Sequence, residues 1–453
     1  SLDSCAQFAR RNQDGASYTS RQQKFEGKVL LRGGFTKAQK YDYNTGTIED
    51  VYAEVAGNEL EMPVALDVAD GLLLRLGSGI SPVKKPAVEK VFAKQELKNW
   101  SAEALDDNSL TLDYAVYSCD RVGEKGTGAI PVIEIQRYLN EWKYDGPLSL
   151  KYPFKVDGLE KGRKVLLVME YPERCKIKVN GKEVEYDGLP AWRDFRWMPI
   201  DISKHIVQGD NAIELYYRNF KHGDPTIVKP AFDRYGTEIE SIYLVGDFSV
   251  SAQATGEHPV QGAFKTFGLN APKVEVLRRD SLALCPPRAI SKDKGDVSLQ
   301  GLPFYTGKLK YSASIRDLKV PHGARAIVEI DSLDCPVAEV VVNGRRAGIL
   351  QSHPLRVDIT DCMAGDITNI DIILYASLRN LLGPHHNKQG ELAACGPTDF
   401  YSRFTHSPNL HEIKEKLDKW GRGEFLPKDW NDGYCVHSLG EIGDVRLKLV
   451  TRQ

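Results

Sequence analysis

The chain of 453 residues is long enough for two or three domains with ample cores, and its 60 Lys and Arg stand against 62 Asp and Glu. With no basic excess to neutralise phosphates, nucleic acid is a poor candidate partner. No apolar run reaches the roughly 18–20 residues of a membrane-spanning helix, and no phosphate loop, dinucleotide-binding glycine pattern, nucleophile elbow or His-Glu-x-x-His motif appears.

In chain order, residues 1–23 are polar and carry no assignable element. The chain opens at Ser1 without a visible signal peptide, so it reads as a processed product or as part of a longer polypeptide. Residues 24–80 alternate over short runs. Strands are expected at Val29–Leu31, Ala38–Tyr41, Val51–Ala53, Leu60–Leu66 and Leu72–Leu76, with "NTG" and "AGN" marking hairpins. The stretch "SPVKKPAVEK" reads as a linker, and "PAVEKVFAKQELKNW" as a short helix. From Trp100 a second region begins with "SLTLDYAVYSCD", an alternating strand, after Asp106 and Asp107, which read as turn residues.

Two segments then repeat one order. "KIKVNGKEVE" and "EVVVNGRRAG" each place an Asn-Gly pair between alternating apolar residues, the signature of a two-residue hairpin with positive φ at both central positions. Each is preceded by a strand-like run and followed by Ile/Val-Asp-Ile-Ser/Thr, a polar turn and another strand. The Asn-Gly pairs at Asn180 and Asn343 lie 163 residues apart; Asp201 and Asp358 lie 157 apart. Such an offset predicts two β domains of one type. The expected organisation is an all-β chain of tandem β-sandwiches with few short helices. Its parts are a small β domain over 1–85, a sandwich over 86–255 and a second sandwich over 256–453. Of the helical patterns, "NLHEIKEKLDKW" is the clearest, with Leu410, Ile413, Leu417 and Trp420 on one face.

Candidate functional residues are few. "LPAWRDFRWMPIDI" clusters Trp192, Arg193, Asp194 and Trp197 between strands, and aromatic faces beside charged groups are how proteins hold sugar rings. The competing reading makes the tryptophans a cover for the sandwich edge. "LLGPHHNKQGEL" offers His385, His386 and Glu391, a set that suits a surface or interface loop better than a metal site. Glu238 and Glu240 sit two apart on an expected strand, where an ordinary solvated face is the simpler reading of paired carboxylates. The eight cysteines form no Cys-x-x-Cys pair and read as buried or free thiols.

Taken together, "EALDDNSLTLDYAVYS", the Asn-Gly hairpin, "IDISKHIVQGDNAIEL", "IESIYLVGDFSV", "LPFYTGKLKYSASI" and "SLRNLLGPHHNKQGE" followed by "CGPTDFYS" resemble a known arrangement. It is the region after the catalytic barrel in large bacterial glycoside hydrolases, most closely the α-L-rhamnosidases of glycoside hydrolase family 106. "FARRNQDGASY" and "YDYNTGTIEDV" resemble the segment leaving that barrel, and the likeness runs roughly from Phe8 to Val450. The Asn-Gly domains are similar to galactose-binding-like jelly rolls, also seen as the sugar-binding domain of family 2 hydrolases. The resemblance implies a non-catalytic C-terminal portion, its catalytic carboxylates lying in an upstream barrel of the same parent. It implies carbohydrate as partner and a periplasmic or extracellular bacterial location. It implies no cofactor beyond a structural calcium of the kind such jelly rolls often hold, with no identified ligands. A free-standing carbohydrate-binding protein and purely structural sandwiches stay open beside it.

Overall fold

The computed structural model describes residues 25–42, 46–66, 71–79, 89–122, 128–186, 188–223, 236–257, 259, 273–363, 367–387 and 430–452. The described chain is all-β, with antiparallel sheets and two helices. The "NLHEIKEKLDKW" pattern and Glu391 lie outside the described residues.

The first unit holds β1 (Phe25–Arg32), β2 (Lys37–Asp42), β3 (Thr47–Asp50), β4 (Glu54–Ala56), β5 (Glu59–Leu66) and β6 (Leu73–Gly77). They form two three-stranded sheets, β1-β5-β4 and β3-β2-β6, around Ala38, Leu60, Met62 and Val64. Val51–Ala53, expected as a strand, is where the chain leaves one sheet for the other, so it cannot continue either ladder.

Next come β7 (Glu89–Glu96) and β8 (Ser101–Ala104). The expected helix over "PAVEKVFAKQELKNW" is therefore a strand from Glu89 onward. Backbone pairing of β7 with the C-terminal strand outweighs local helix propensity. The chain then builds a complete sandwich. Its strands are β9 (Asn108–Leu112), β10 (Tyr114–Cys119), β11 (Ile130–Pro131), β12 (Asp145–Val156), β13 (Val165–Glu170), β14 (Lys176–Val179) and β15 (Lys182–Val184). They continue with β16 (Trp197–Asp201), β17 (Gly209–Lys221), β18 (Ile242–Gly246), β19 (Ser249–Ser251) and β21 (Ala283–Cys285), while β20 (Val274–Leu277) pairs with the later β28 (Tyr434–His437) in a separate two-stranded sheet. Helix α1 (Val132–Glu141) covers one edge, burying Val132, Ile135 and Leu139 at helical spacing.

The second sandwich resumes with β22 (Lys308–Arg316), β23 (Ala324–Ile330), β24 (Val337–Val342), β25 (Arg345–Leu350), β26 (Arg356–Asp358) and β27 (Ile367–Tyr375). After the short helix α2 (Arg379–Leu382) come β28 (Tyr434–His437) and β29 (Val445–Arg452). Alternation sets the packing: along β22, Leu309, Tyr311, Ala313 and Ile315 point inward while their neighbours are wetter.

The two sandwiches match strand for strand. One sheet runs β10-β12-β17-β14-β15 in the first and β8-β22-β27-β24-β25 in the second. The facing sheet runs β16-β13-β18-β9 in the first and β26-β23-β29-β7 in the second. Chain order matches too, provided the second sandwich begins with β7 and β8. The first sandwich is thus inserted into the second, between the second and third of its strands. Boundaries at 86 and 256 do not follow this pairing. Leu309 of β22 lies opposite Ala104, and Glu89 opposite Arg452. Conversely β21 pairs with β12 and β19 of the first sandwich.

Hydrogen bonds repeat along with the strands. Asn180 and Gly181 have φ of 52° and 76°, and Asn343 and Gly344 have 50° and 77°, so both are mirror-image turns of the kind Asn-Gly accommodates. Asn180 Nδ2 donates to His205 O (2.9 Å), and its Oδ1 accepts from Ala212 N (2.9 Å). Asn343 Nδ2 donates to Cys362 O (3.2 Å), and its Oδ1 accepts from Asn369 N (2.9 Å). Asp201 Oδ1 caps Ser203 N at 2.9 Å, as Asp358 Oδ1 caps Thr360 N at 3.0 Å. The Ser203 and Thr360 hydroxyls in turn accept from Val165 N (3.0 Å) and Ala326 N (2.9 Å). Each motif therefore ties a hairpin, a short 3-10 turn and two strands into one frame.

The seam between the sandwiches is polar and specific. Asn108 Nδ2 donates to Phe248 O (3.0 Å) and Gly301 O (2.9 Å), and Thr111 Oγ1 donates to Leu381 O (2.7 Å). His385 and His386 belong here, both buried, which moves them from the surface side of the sequence reading to its interface side. His386 Nδ1 faces Asn431 O (2.8 Å) and Gly433 O (3.0 Å), while Nε2 faces Asp113 Oδ2 (2.8 Å). All three partners offer acceptor oxygens, and the ring is held between the backbone carbonyls and Asp113. The Tyr434 hydroxyl also donates to Asp113, and the indole of Trp430 stacks on His386 at 4.6 Å. Burial pushes the Asp113 carboxyl up, but His386, His385 and the Tyr434 hydroxyl around it hold it below the usual carboxylate range. Among the described residues this is a clamp of buried partners.

Candidate functional site

The connection from β15 to β16 carries the aromatic cluster. It is pinned by Trp192 N donating to Trp197 O (2.9 Å), Trp197 N to Asp194 O (3.1 Å), and Arg196 N to Asp194 Oδ1 (2.9 Å). Arg193 takes φ of 60° at its tip. Trp192 and Trp197 stack with centroids 5.7 Å apart and planes at 21°, and Trp197 packs on Tyr243 at 5.1 Å. Trp197 is only 8 % exposed and lies in the core of the first sandwich. Its ring face is spent on protein, which corrects its expected role as a platform for sugar. Trp192 is half-buried against the same core.

The open aromatic is Phe195, 74 % exposed. Arg196 lies 5.2 Å from its centroid and 5.8 Å from that of Tyr171, over which Arg174 also sits at 3.8 Å. Arg193 lies 5.6 Å from the Trp192 centroid and 3.8 Å from Asp106. Cation–π contacts at exposed sites contribute about 0.5–1 kcal/mol each, enough to orient these guanidinium groups. Phe195 lies inside the same stretch, but the alternation of buried and open aromatics in an irregular loop has no periodic signature.

Beside this rim lies a carboxylate group. Glu238 and Glu240 are on irregular chain leading into β18 rather than on a strand, and Glu170 joins them from the end of β13, opposite Trp197. Glu240 is held up to about 7, first by burial in the concavity and then by Glu170 and Glu238. Its side chain nonetheless reaches solvent, so the recess is concave and not closed. Burial and Glu170 also raise Glu238, while Arg196 opposes the shift at all three. The recess, walled by Tyr152, Tyr171 and Tyr217, encloses about 20 Å³, room for one water-sized group. A sugar ring would lie across its mouth, not inside. The arrangement offers guanidinium donors, carboxyl acceptors and two aromatic rings. Among the described residues no three His, Cys, Asp or Glu side chains are placed to hold a metal ion, so the calcium expectation gains no ligand set. The six described cysteines are free thiols.

No family model and no curated protein matches the chain. Solved structures do. A rhamnosidase from Novosphingobium sp. PP1Y matches at 11% identity and TM-score 0.34, over 94% of this chain and 22% of that one. A GH2 beta-galacturonidase from Eisenbergiella tayi bound to glycerol matches at 12% and 0.23, over 60% and 36%. A beta-glucuronidase from Ruminococcus gnavus matches at 12% and 0.21, over 62% and 44%. The chain thus spans between about a fifth and under half the length of these enzymes. At such scores the overlap assigns no role to any residue. No helix among the described residues is long and apolar enough to cross a membrane.

Proposed function

We propose that the chain is a non-catalytic β-sandwich portion of a polysaccharide-degrading glycoside hydrolase of the α-L-rhamnosidase type. It buttresses the catalytic barrel of the same parent outside the cytoplasm and binds carbohydrate. The parentage and family 106 rest on the sequence motifs. The binding reading rests on one observation: of two sandwiches sharing one frame, only the first extends its β15–β16 connection into a loop that holds Phe195 open beside Arg196 and Tyr171. Phe195 supplies an apolar face for the C–H side of a sugar ring. Arg193 and Arg196 supply directional donors, and Asp194 keeps one carboxylate oxygen beyond its turn bond for hydroxyls.

Calorimetry of the purified chain with rhamnose-containing plant and bacterial polysaccharides tests the binding half. Measurable affinity is expected, and silence across the panel would leave only the buttressing role. Assay with aryl rhamnosides tests the other half: turnover at glycosidase-like rates would overturn the non-catalytic assignment. The stacked, largely buried Trp192–Trp197 pair favours the purely structural reading for those two residues.

A further inference from the structure

The duplicated fold carries a second concavity at the matching end of the second sandwich. The recess beside Glu240 is lined by the β13–β14 connection and the approach to β18. The second is lined by the corresponding β23–β24 connection, Leu333 to Pro336, and the approach to β29, His437 to Leu439. It lies at the seam, where Tyr305, Arg379 and Asn380 complete it. The two differ in size by an order of magnitude: about 260 Å³ against 20 Å³. Drug-sized ligands take roughly 300–1,000 Å³, so the larger cleft suits one ring.

Its polar groups are held in place. Asp334 N donates to Glu441 O (2.9 Å), and Gly440 N donates back to Asp334 O (3.0 Å), fixing that wall. Asn380 and His437 exchange two bonds of 2.8 Å, and Arg379 Nη2 donates to Pro384 O (2.9 Å). Leu333 and Pro336 supply an apolar wall. Cys335 is not a nucleophile, because burial pushes its thiol up to about 12 and its Sγ–H donates to Val337 O (3.1 Å). Nothing in the cleft is poised for bond making; the chemistry it supports is recognition.

We infer that this cleft is a second carbohydrate site, distinct from the Phe195 loop, that accepts a single neutral pyranose unit. Asp334 accepts from its hydroxyls, Arg379 donates to them, and Leu333 and Pro336 meet the C–H face of the ring. Asp334 is the one carboxylate in the walls, beside Arg379 and His437, so a neutral ring is favoured over a uronate, which would meet Asp334 unfavourably. The ligand class rests on the carbohydrate reading above; the place of the site does not.

The test titrates the full chain with methyl α-L-rhamnopyranoside, methyl β-D-galactopyranoside and methyl β-D-glucopyranoside, and separately with the polysaccharides, using the wild type, Asp334→Asn and Phe195→Ala. At least one glycoside is expected to bind, with a tenfold or greater loss in Asp334→Asn and none in Phe195→Ala. If Asp334→Asn lowers the melting temperature, Pro336→Trp, which fills the mouth from an exposed position, takes its place. No binding of any glycoside, or binding lost in Phe195→Ala and kept in both cleft variants, overturns the cleft. Polysaccharide affinity that Phe195→Ala leaves intact overturns the loop instead, so the two failures read differently.

Discussion

The two sandwiches share an architecture to the level of individual hydrogen bonds, yet differ in the connection that follows the Asn-Gly hairpin. In the first, twelve residues separate Val184 from Trp197; in the second, five separate Leu350 from Arg356. Both connections leave the same hairpin and enter the same edge strand. The frame needs only a short link, and the extra length in the first carries Trp192, Arg193, Phe195 and Arg196. Loops on a rigid scaffold are where binding groups collect, and comparing two copies in one chain shows which loop exceeds the structural minimum.

Breaking the frame should cost more than breaking the loop. The largest effect is expected at Trp197→Ala, which opens a cavity between Trp192 and Tyr243 and should cost about 3–5 kcal/mol in denaturant unfolding. Asn180→Ala and Asn343→Ala each remove side-chain bonds on both sides of the turn. Each should cost about 2–3 kcal/mol, and similar values for the two would confirm that the copies do equivalent work. Gly181→Val and Gly344→Val should cost about 1 kcal/mol or more, because a β-branched residue resists positive φ. A melt unaffected by both glycine changes would sink the turn assignment.

Two pH effects sharpen the comparison further. Glu240 has its folded carboxyl raised from 4.5 to about 7, so the fold prefers its protonated form. Stability should fall as pH rises from about 4.5 through 7, and Glu240→Gln should flatten that slope. At the seam the sign is opposite. Burial pushes His385 down to about 4, so its contribution is complete above its ordinary value of 6.5 and is lost as pH falls toward 4. Amide exchange of β28 should quicken over that acid range while the sheets of the first unit stay protected; no change at β28 would refute the neutral His385.

Much of the frame was legible in the sequence because its signals are local. Asn-Gly, the Asp-Ile-Ser/Thr box and period-two alternation each act within a few residues. Membership of β7 and β8 was not legible. Their partners lie at Arg446–Arg452 and Leu309–Ser312, and nothing in a short alternating strand names its distant neighbour. Helix α1 is ambiguous in the sequence: Val132, Ile135 and Leu139 recur at helical spacing, but its β-branched residues also suit a strand. The histidine pair gave no hint of burial. Flanking Gly383 and Pro384 read as a loop, and the carboxylate that claims His386 is Asp113, far along the chain. In the stretch carrying Trp192, Arg193, Asp194 and Trp197, ring size does not report exposure: Trp197 is buried and Phe195 is open.

The central claim is that the first sandwich's loop binds carbohydrate through an open ring on a frame that does not need it. Its most direct test is calorimetric titration of Phe195→Ala with the polysaccharide that the wild type binds, alongside thermal melts of both. The account predicts at least a tenfold loss of affinity with stability within about 0.5 kcal/mol of wild type, as for a surface substitution. Unchanged affinity, or a loss that tracks a fall in melting temperature, would contradict it.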